Sequence, residues 1–291
     1  MCRFAAYLGK PIIVDELLFK PANSLVKQSV RARETDEPLN GDGFGLGWYA
    51  HEIDYTPALF TSVQPAWNDR NLLYISPKIR TNCLMAHVRA ASAGGVSILN
   101  CHPFHYKRLL FMHNGGIGGF QKIKRYMRRD LPDPIYDWIK GQTDSEHLFA
   151  MFLHIFEQQQ AQHTTQGLAR ALMDTFKHIF ALQQQYNVTD DPSYLNVVIT
   201  DGLNLIASRY ATTGAAYVPT LYYSAGSQYE YHDGVCHMHP AVDGQNEALL
   251  IVSEKLTNYA AEWHEVPENH ILLAHQDLSL EIKPILGNSY L

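Results

Sequence analysis

The order of patterns along the 291 residues predicts an α+β fold of antiparallel sheets with helices on their outer faces. Short apolar runs of strand character fill the first part of the chain. Two amphipathic stretches of helical spacing follow at 144–156 and 167–185, and strand-like runs return after Ser193. There Asp201-Gly202, between apolar runs at 195–199 and 203–207, is a hairpin signal. No internal repeat, low-complexity tract or clear linker divides the sequence, so residues 1–291 are expected to form a single domain.

Composition excludes several classes. With 46% hydrophobic and 18% charged residues the profile is that of a globular protein. A net charge of −6 weighs against a nucleic-acid or anionic-membrane surface. No apolar run approaches the roughly 18–20 residues of a membrane span, and the basic-then-apolar layout of a signal peptide is missing. Cys2, Cys83, Cys101 and Cys236 are scattered without a CxxC pair, which suggests neither a disulfide framework nor a zinc ribbon. A reducing cytoplasm is the simplest home, and no cofactor is expected.

Taken in order, residues 2–8 read as a strand bounded by Gly9 and Pro11. If Met1 is removed, Cys2 carries a thiol and a free amine on one residue, a pair able to act as nucleophile and base. Residues 15–30 suggest a short helix and then a loop. Asn40-Gly41-Asp42-Gly43-Phe44-Gly45-Leu46-Gly47 lacks the spacing of a phosphate loop. It reads as a turn into a strand whose glycines let another backbone, or a ligand, come close. Residues 57–72 are expected to be a loop.

A strand over 83–88 runs into Arg89-Ala90-Ala91-Ser92 and Gly94-Gly95. An arginine at that junction is placed to grip a carboxylate with two prongs; a surface salt bridge is the commoner use of a lone arginine. Asn100-Cys101-His102-Pro103 and His237-Met238-His239 invite a metal reading, but neighbours on a strand face opposite ways and no four-ligand set is visible. The run 109–113 leads into Asn114-Gly115, which is either a hairpin turn, the reading favoured by sequence alone, or an oxyanion hole. The basic run from Lys122 to Arg129 is expected to be one solvated helical face. Thr143 with Glu146 forms a capping box that opens the first long helix and puts Asp144 in its first turn, as a cap or as an anion for a substrate ammonium.

In this order MCRF, NGDGFGLGWY, AHVRAAS, NCHPF, MHNGG and TDSEH resemble the class-II glutamine amidotransferases. That resemblance implies a four-layer α-β-β-α sandwich of the N-terminal-nucleophile type, with core motifs at 2–156 and the remaining helix and strands at 167–285. Within the family, the set is similar to the amidotransferase-like subunit of the fungal glutathione-degrading complex and to the ergothioneine-pathway γ-glutamyl hydrolase. The resemblance implies Cys2 as nucleophile with its own amine as base, and Asn114 and Gly115 as the oxyanion hole. It further implies Arg89 on the substrate's α-carboxylate with Ser92 near it, and Asp144 on the α-ammonium.

The implied reaction is hydrolysis of a γ-glutamyl amide through a Cys2 thioester. Amino-sugar-forming members carry Trp-Ala-Thr-His after the arginine; here Ala90-Ala91-Ser92-Ala93 stands instead, which favours a γ-glutamyl compound such as glutathione over free glutamine. One such domain takes up nearly the whole sequence, so a synthetase or peptidase partner would be a separate polypeptide. Two other readings remain: an N-terminal-cysteine hydrolase of other acyl amides, and a catalytically silent partner subunit.

Overall fold

β1 (Arg3–Ile13) begins one residue after Cys2 and lies in the middle of the larger of two antiparallel sheets. The computed structural model describes residues 2–35, 37–91, 94–212 and 214–285. Across the larger sheet the order is β13 (His264–Glu265), β9 (Tyr222–Gly226), β12 (Ala248–Val252), β1, β4 (Arg80–Val88), β2 (Phe44–Tyr49) and β3 (Pro57–Ser62). The second sheet runs β15 (Leu280–Pro284), β14 (His270–Ala274), β8 (Leu205–Arg209), β7 (Tyr194–Thr200), β6 (Leu109–Gly116) and β5 (Phe104–Tyr106). A separate hairpin pairs β10 (Gln228–His232) with β11 (Val235–His239).

Three apolar cores make four layers of this arrangement. Phe4, Ala6, Cys83, Met85, Leu110, Met112, Val198 and Ala207 fill the space between the sheets. On the outside of the larger sheet, α1 (Asp15–Leu18), α2 (Leu25–Arg31) and α3 (Arg70–Ile75) bury Leu17, Leu25 and Leu72. On the outside of the second, α4 (Phe120–Arg129), α5 (Asp133–Trp138), α6 (Asp144–Gln158) and α7 (Thr165–Gln185) bury Phe149, Phe152, Leu172 and Phe176. Strands between two such cores are apolar on both faces. The result is the predicted α+β, α-β-β-α sandwich.

Local sequence accounts for the long helices. The Thr143 hydroxyl accepts the Glu146 N–H at 3.2 Å, capping α6. Glu146 does not complete the expected box; its carboxylate takes the N–H groups of Lys140 and Gly141 at 2.8 and 2.9 Å. Thr164 caps α7 in the same way through the Gly167 N–H.

Three local expectations are revised. β1 does not stop at Gly9; its pairing with β4 shifts register between Leu8 and Ile12, and that irregularity admits Pro11 into the strand. The segment 57–72 is not a loop but an edge strand followed by a turn of 3₁₀ helix and α3, with Pro57 tolerated at the strand's first position. Asn114-Gly115 is not a turn, because β6 continues to Gly116 and pairs with β7 throughout.

Candidate active site

Side chains alternate across a strand, so faces can be read by twos. Phe4 and Ala6 of β1 point between the sheets, and Cys2 shares their parity. Cys83 and Met85 of β4 do the same, with His87 and Arg89 continuing that row; Leu110 and Met112 of β6 continue to Asn114. Arg3 pairs with Val88, so the next position along sets Cys2 beside Arg89. Cys2, Arg89 and Asn114 therefore project from strand ends into the same inter-sheet layer.

Cys2 is half-buried, and its thiol lies against the backbone of a single residue, Ala90. Sγ donates to the Ala90 carbonyl at 3.3 Å and accepts the Ala90 N–H at 3.4 Å. Burial pushes the thiol pKa up; the Ala90 N–H and the cations Arg89 and Arg3 oppose this. Deprotonation removes the first of the two bonds and strengthens the second, so Ala90 N–H is a ready partner for the thiolate.

Arg89 is 3% exposed, which sets aside the surface-salt-bridge reading. Its backbone is zipped to the Asn40–Gly43 turn: Arg89 N–H to Gly43 O, Asp42 N–H to Arg89 O, and Ala91 N–H to the Asp42 carboxylate at 2.8 Å. The guanidinium donates to the Gly94 and Gly95 carbonyls at 3.3 and 3.2 Å, curling the Gly-rich loop round it. Asn100 then bridges this loop to the residue before the α6 cap, its amide donating to Gly95 O at 2.8 Å and accepting Gln142 N–H at 3.1 Å. Close backbone approach, read from the glycines of β2, also holds: a Cβ on Gly45 would sit 2.3 Å from His102 O.

At the end of β6, Asn114 is 1% exposed and neither atom of its amide is bonded to another described residue. Gly115, at φ 154°, presses against β7 so closely that a Cβ would lie 1.9 Å from the Tyr194 carbonyl oxygen. Asp144 opens α6 beside this strand end. Its carboxylate accepts Ile117 N–H at 2.8 Å and Ser145 N–H at 2.9 Å, so it ties the helix to the residues just past Gly116. His113, on the outer face of β6, touches Ser145 Oγ and Tyr194 O at 2.9 Å each and holds strand, helix and β7 together. Ser92 lies outside the described residues.

His87 and His102, both buried, face each other with ring centroids 4.3 Å apart and planes tilted by 30°. Burial is the main cause of their low basicity, with Arg89 adding to it, and His87 is pushed down to about 3. His237 and His239 each pair with a glutamate, Glu262 and Glu230, and among the described residues no three potential ligands converge on a metal position. Sequence reading missed Arg3 and Glu254, which meet across 251 residues, and Asn100; the strings MCRF and NCHPF were the available signals for Arg3 and Asn100.

The class-II glutamine amidotransferase family model matches residues 20–283, and the chain belongs to that family. That membership, with a γ-glutamyl hydrolase among the relatives, makes the protein an enzyme of amide hydrolysis. The chain is 34% identical to "Probable glutamine amidotransferase DUG3" of Saccharomyces cerevisiae over all of this chain and 86% of that protein. It is 32% identical to the "Gamma-glutamyl-hercynylcysteine sulfoxide hydrolase" of Mycobacterium tuberculosis over 40% of this chain and 49% of that one. Among solved structures, the glutamine aminotransferase class-II domain protein of Silicibacter pomeroyi superposes with a TM-score of 0.64 at 25% identity, covering 97% of this chain and 98% of that one. The glutamine phosphoribosylpyrophosphate amidotransferase of B. subtilis shares the fold alone, with a TM-score of 0.59 at 13% identity over 98% of this chain and 50% of that one. No helix among the described residues is long and apolar enough to cross a membrane.

Proposed function

We propose that the protein hydrolyses a γ-glutamyl amide through a thioester on Cys2, in a chain that begins at Cys2 once Met1 is removed. The observation that carries this reading is the Cys2 thiol lodged 3.4 Å from the Ala90 N–H, beside the buried Arg89. In the first step the Cys2 α-amine takes the thiol proton. A free α-amine has a pKa of about 7.7–8.0 and is partly unprotonated near neutrality. Sγ attacks the γ-carbonyl carbon, and the oxygen becomes an oxyanion held by the Asn114 side-chain amide and the Gly115 N–H. Each such donor contributes about 3 kcal/mol in a dry site.

Collapse of the intermediate breaks the C–N bond, the ammonium proton passes to the departing amine, and a γ-glutamyl thioester remains. Water, deprotonated by the same amine, attacks the thioester to release glutamate and restore the thiol. Arg89 holds the α-carboxylate, with Ser92 near it, and Asp144 holds the α-ammonium. One cation and one anion match the two charges of a glutamyl head group. The names of relatives span glutamine and a γ-glutamyl group on a bulky cysteine derivative, which supports a larger γ-glutamyl amide such as glutathione as substrate. Residues 1–291 act as one catalytic domain, working alone or with a separate synthetase or peptidase subunit.

Glutamate release across glutamine, glutathione and γ-glutamyl peptides tests the reading, with intact mass to establish the N-terminus. Turnover confined to substrates with a free α-amino acid head, abolished in Cys2→Ala, is the expected result. Hydrolysis of acyl amides lacking that head, or full activity in Cys2→Ala or in protein retaining Met1, would refute it.

A further inference from the structure

Behind the thiol lies a second charged centre with no part in the chemistry above. Glu254 follows β12 and is 1% exposed. Its Oε2 receives Arg3 Nε at 3.1 Å and the N–H groups of Arg33 and Glu34 at 2.9 and 3.1 Å. Its Oε1 receives Asn23 Nδ2 at 2.8 Å and the same Arg33 N–H at 3.1 Å. Arg3, also 1% exposed, donates from Nη1 to Cys2 O at 3.0 Å and from Nη2 to Glu34 O at 2.7 Å. One carboxylate and one guanidinium thus join three pieces: the first residue of the processed chain, the Arg33–Glu34 segment, and the end of β12.

Stability does not explain this expense. An apolar pair of similar volume is usually as stable as a buried ion pair, or more so. Geometry does. A nucleophile on the first residue is tethered by a single covalent bond, through its own carbonyl carbon, and has no preceding residue to restrain it. Side chains at 2 and 3 leave opposite faces of the strand, so Arg3 reaches the Cys2 carbonyl from behind while Sγ faces Ala90. Next along β1, Ser253 Oγ accepts the Phe4 N–H at 2.9 Å, and Ser253 N–H donates to Phe4 O at 3.1 Å.

We propose that Glu254 is a positioning residue for the nucleophile: through Arg3 it fixes the Cys2 carbonyl and the Arg33–Glu34 segment, so that Sγ keeps its line to the substrate carbonyl. This rests on the reading of Cys2 as nucleophile. Loss of such a restraint acts on the chemical step more than on substrate binding, and misplacement by about 1 Å costs roughly 10²-fold in rate.

The test uses the processed protein and Glu254→Gln, with Arg3→Leu/Glu254→Leu as the variant that removes both charges. Steady-state kinetics are combined with two Cys2 labels: iodoacetamide, and a diazoketone shaped like glutamine. Both variants are expected to lose kcat by roughly 10²-fold with KM within about threefold. Labelling by the diazoketone should fall in proportion while iodoacetamide labelling does not. Wild-type kcat in either variant overturns the proposal, as does a parallel loss of both labels, which would mean only less folded protein. Cys2→Ala separates the two failures: if it remains active, the nucleophile assignment itself is wrong.

Discussion

Gly115→Ala isolates the backbone donor of the proposed oxyanion hole. The new Cβ would stand 1.9 Å from Tyr194 O, 2.7 Å from Tyr194 C and 3.0 Å from His113 Nε2. Contacts under 3.0 Å are essentially never found, so β6 and β7 must part by about 1.1 Å at this pair (3.0 less 1.9). The displaced atoms carry the Gly115 N–H. A donor moved by about 1 Å loses most of its catalytic contribution, and the expected fall in kcat is on the order of 10²-fold. KM for a γ-glutamyl substrate should change by less than about threefold, because the head-group contacts lie elsewhere. Overpacking also costs about 1–3 kcal/mol of stability, visible as a lower denaturation midpoint. Gly116→Ala is the control: its Cβ meets only Asp144 Oδ2, at 3.4 Å, so kcat should hold and KM rise modestly. The assay is glutamate release with active-site titration to correct for folded fraction. A corrected kcat for Gly115→Ala within about threefold of wild type would refute the assignment.

Arg89→Lys should raise KM by about 10–100-fold with a smaller fall in kcat, since an ammonium cannot hold the Gly94 and Gly95 carbonyls and still offer a flat fork; an unchanged KM would show that the carboxylate is gripped elsewhere. Acid stability follows from two histidines whose burial pushes their pKa values down, His87 to about 3 and His147 to about 4. A folded-state value below the unfolded 6.5 means the unfolded chain takes up protons first, so stability present above pH 6.5 is lost as pH falls from there toward 4. At pH 5, about 1.5 units below the unfolded value, each contributes a loss of about 2 kcal/mol. Urea unfolding at pH 7.5 and 5.0 measures this; His147→Gln should recover about 2 kcal/mol of the difference, and equal stability of wild type at both pH values would refute it.

Long elements with their own capping and periodicity were legible from sequence. Thr143 with Leu148, Phe152 and Phe156 sufficed for α6, and Asp201-Gly202 for the β7–β8 hairpin. What failed to read locally was decided by partners far away. Asn114-Gly115 has the composition of a turn, and only its pairing with Asn196 and Leu195 makes it strand. An isolated arginine defaults to the surface, and Arg89 is buried because the Asn40–Gly43 turn and the Gly94-Gly95 carbonyls close round it. Arg3 and Glu254 are 251 residues apart, beyond any spacing rule. Strand faces were illegible for a different reason: β4 and β6 lie between two apolar layers, so their runs do not alternate and nothing local says which residues look inward.

That loss of face information matters most at β1. A slip of one residue in its pairing with β4 and β12 would exchange every side chain between layers. Cys2 would turn outward, and Arg3 would bring its charge between the sheets. Alternation of apolar side chains cannot prevent this, because Phe4 and Ala6 on one face are matched by Ala5 and Tyr7 on the other. Polar contacts at the strand's start can. The Ser253 hydroxyl accepts only from the Phe4 N–H in this register, and the Glu254 carboxylate meets a guanidinium only if Arg3 faces outward. In a slipped strand that carboxylate would be buried without its cation, at a cost of several kcal/mol. Together with Ser253, the ion pair next to Cys2 thus favours the register in which the thiol faces inward.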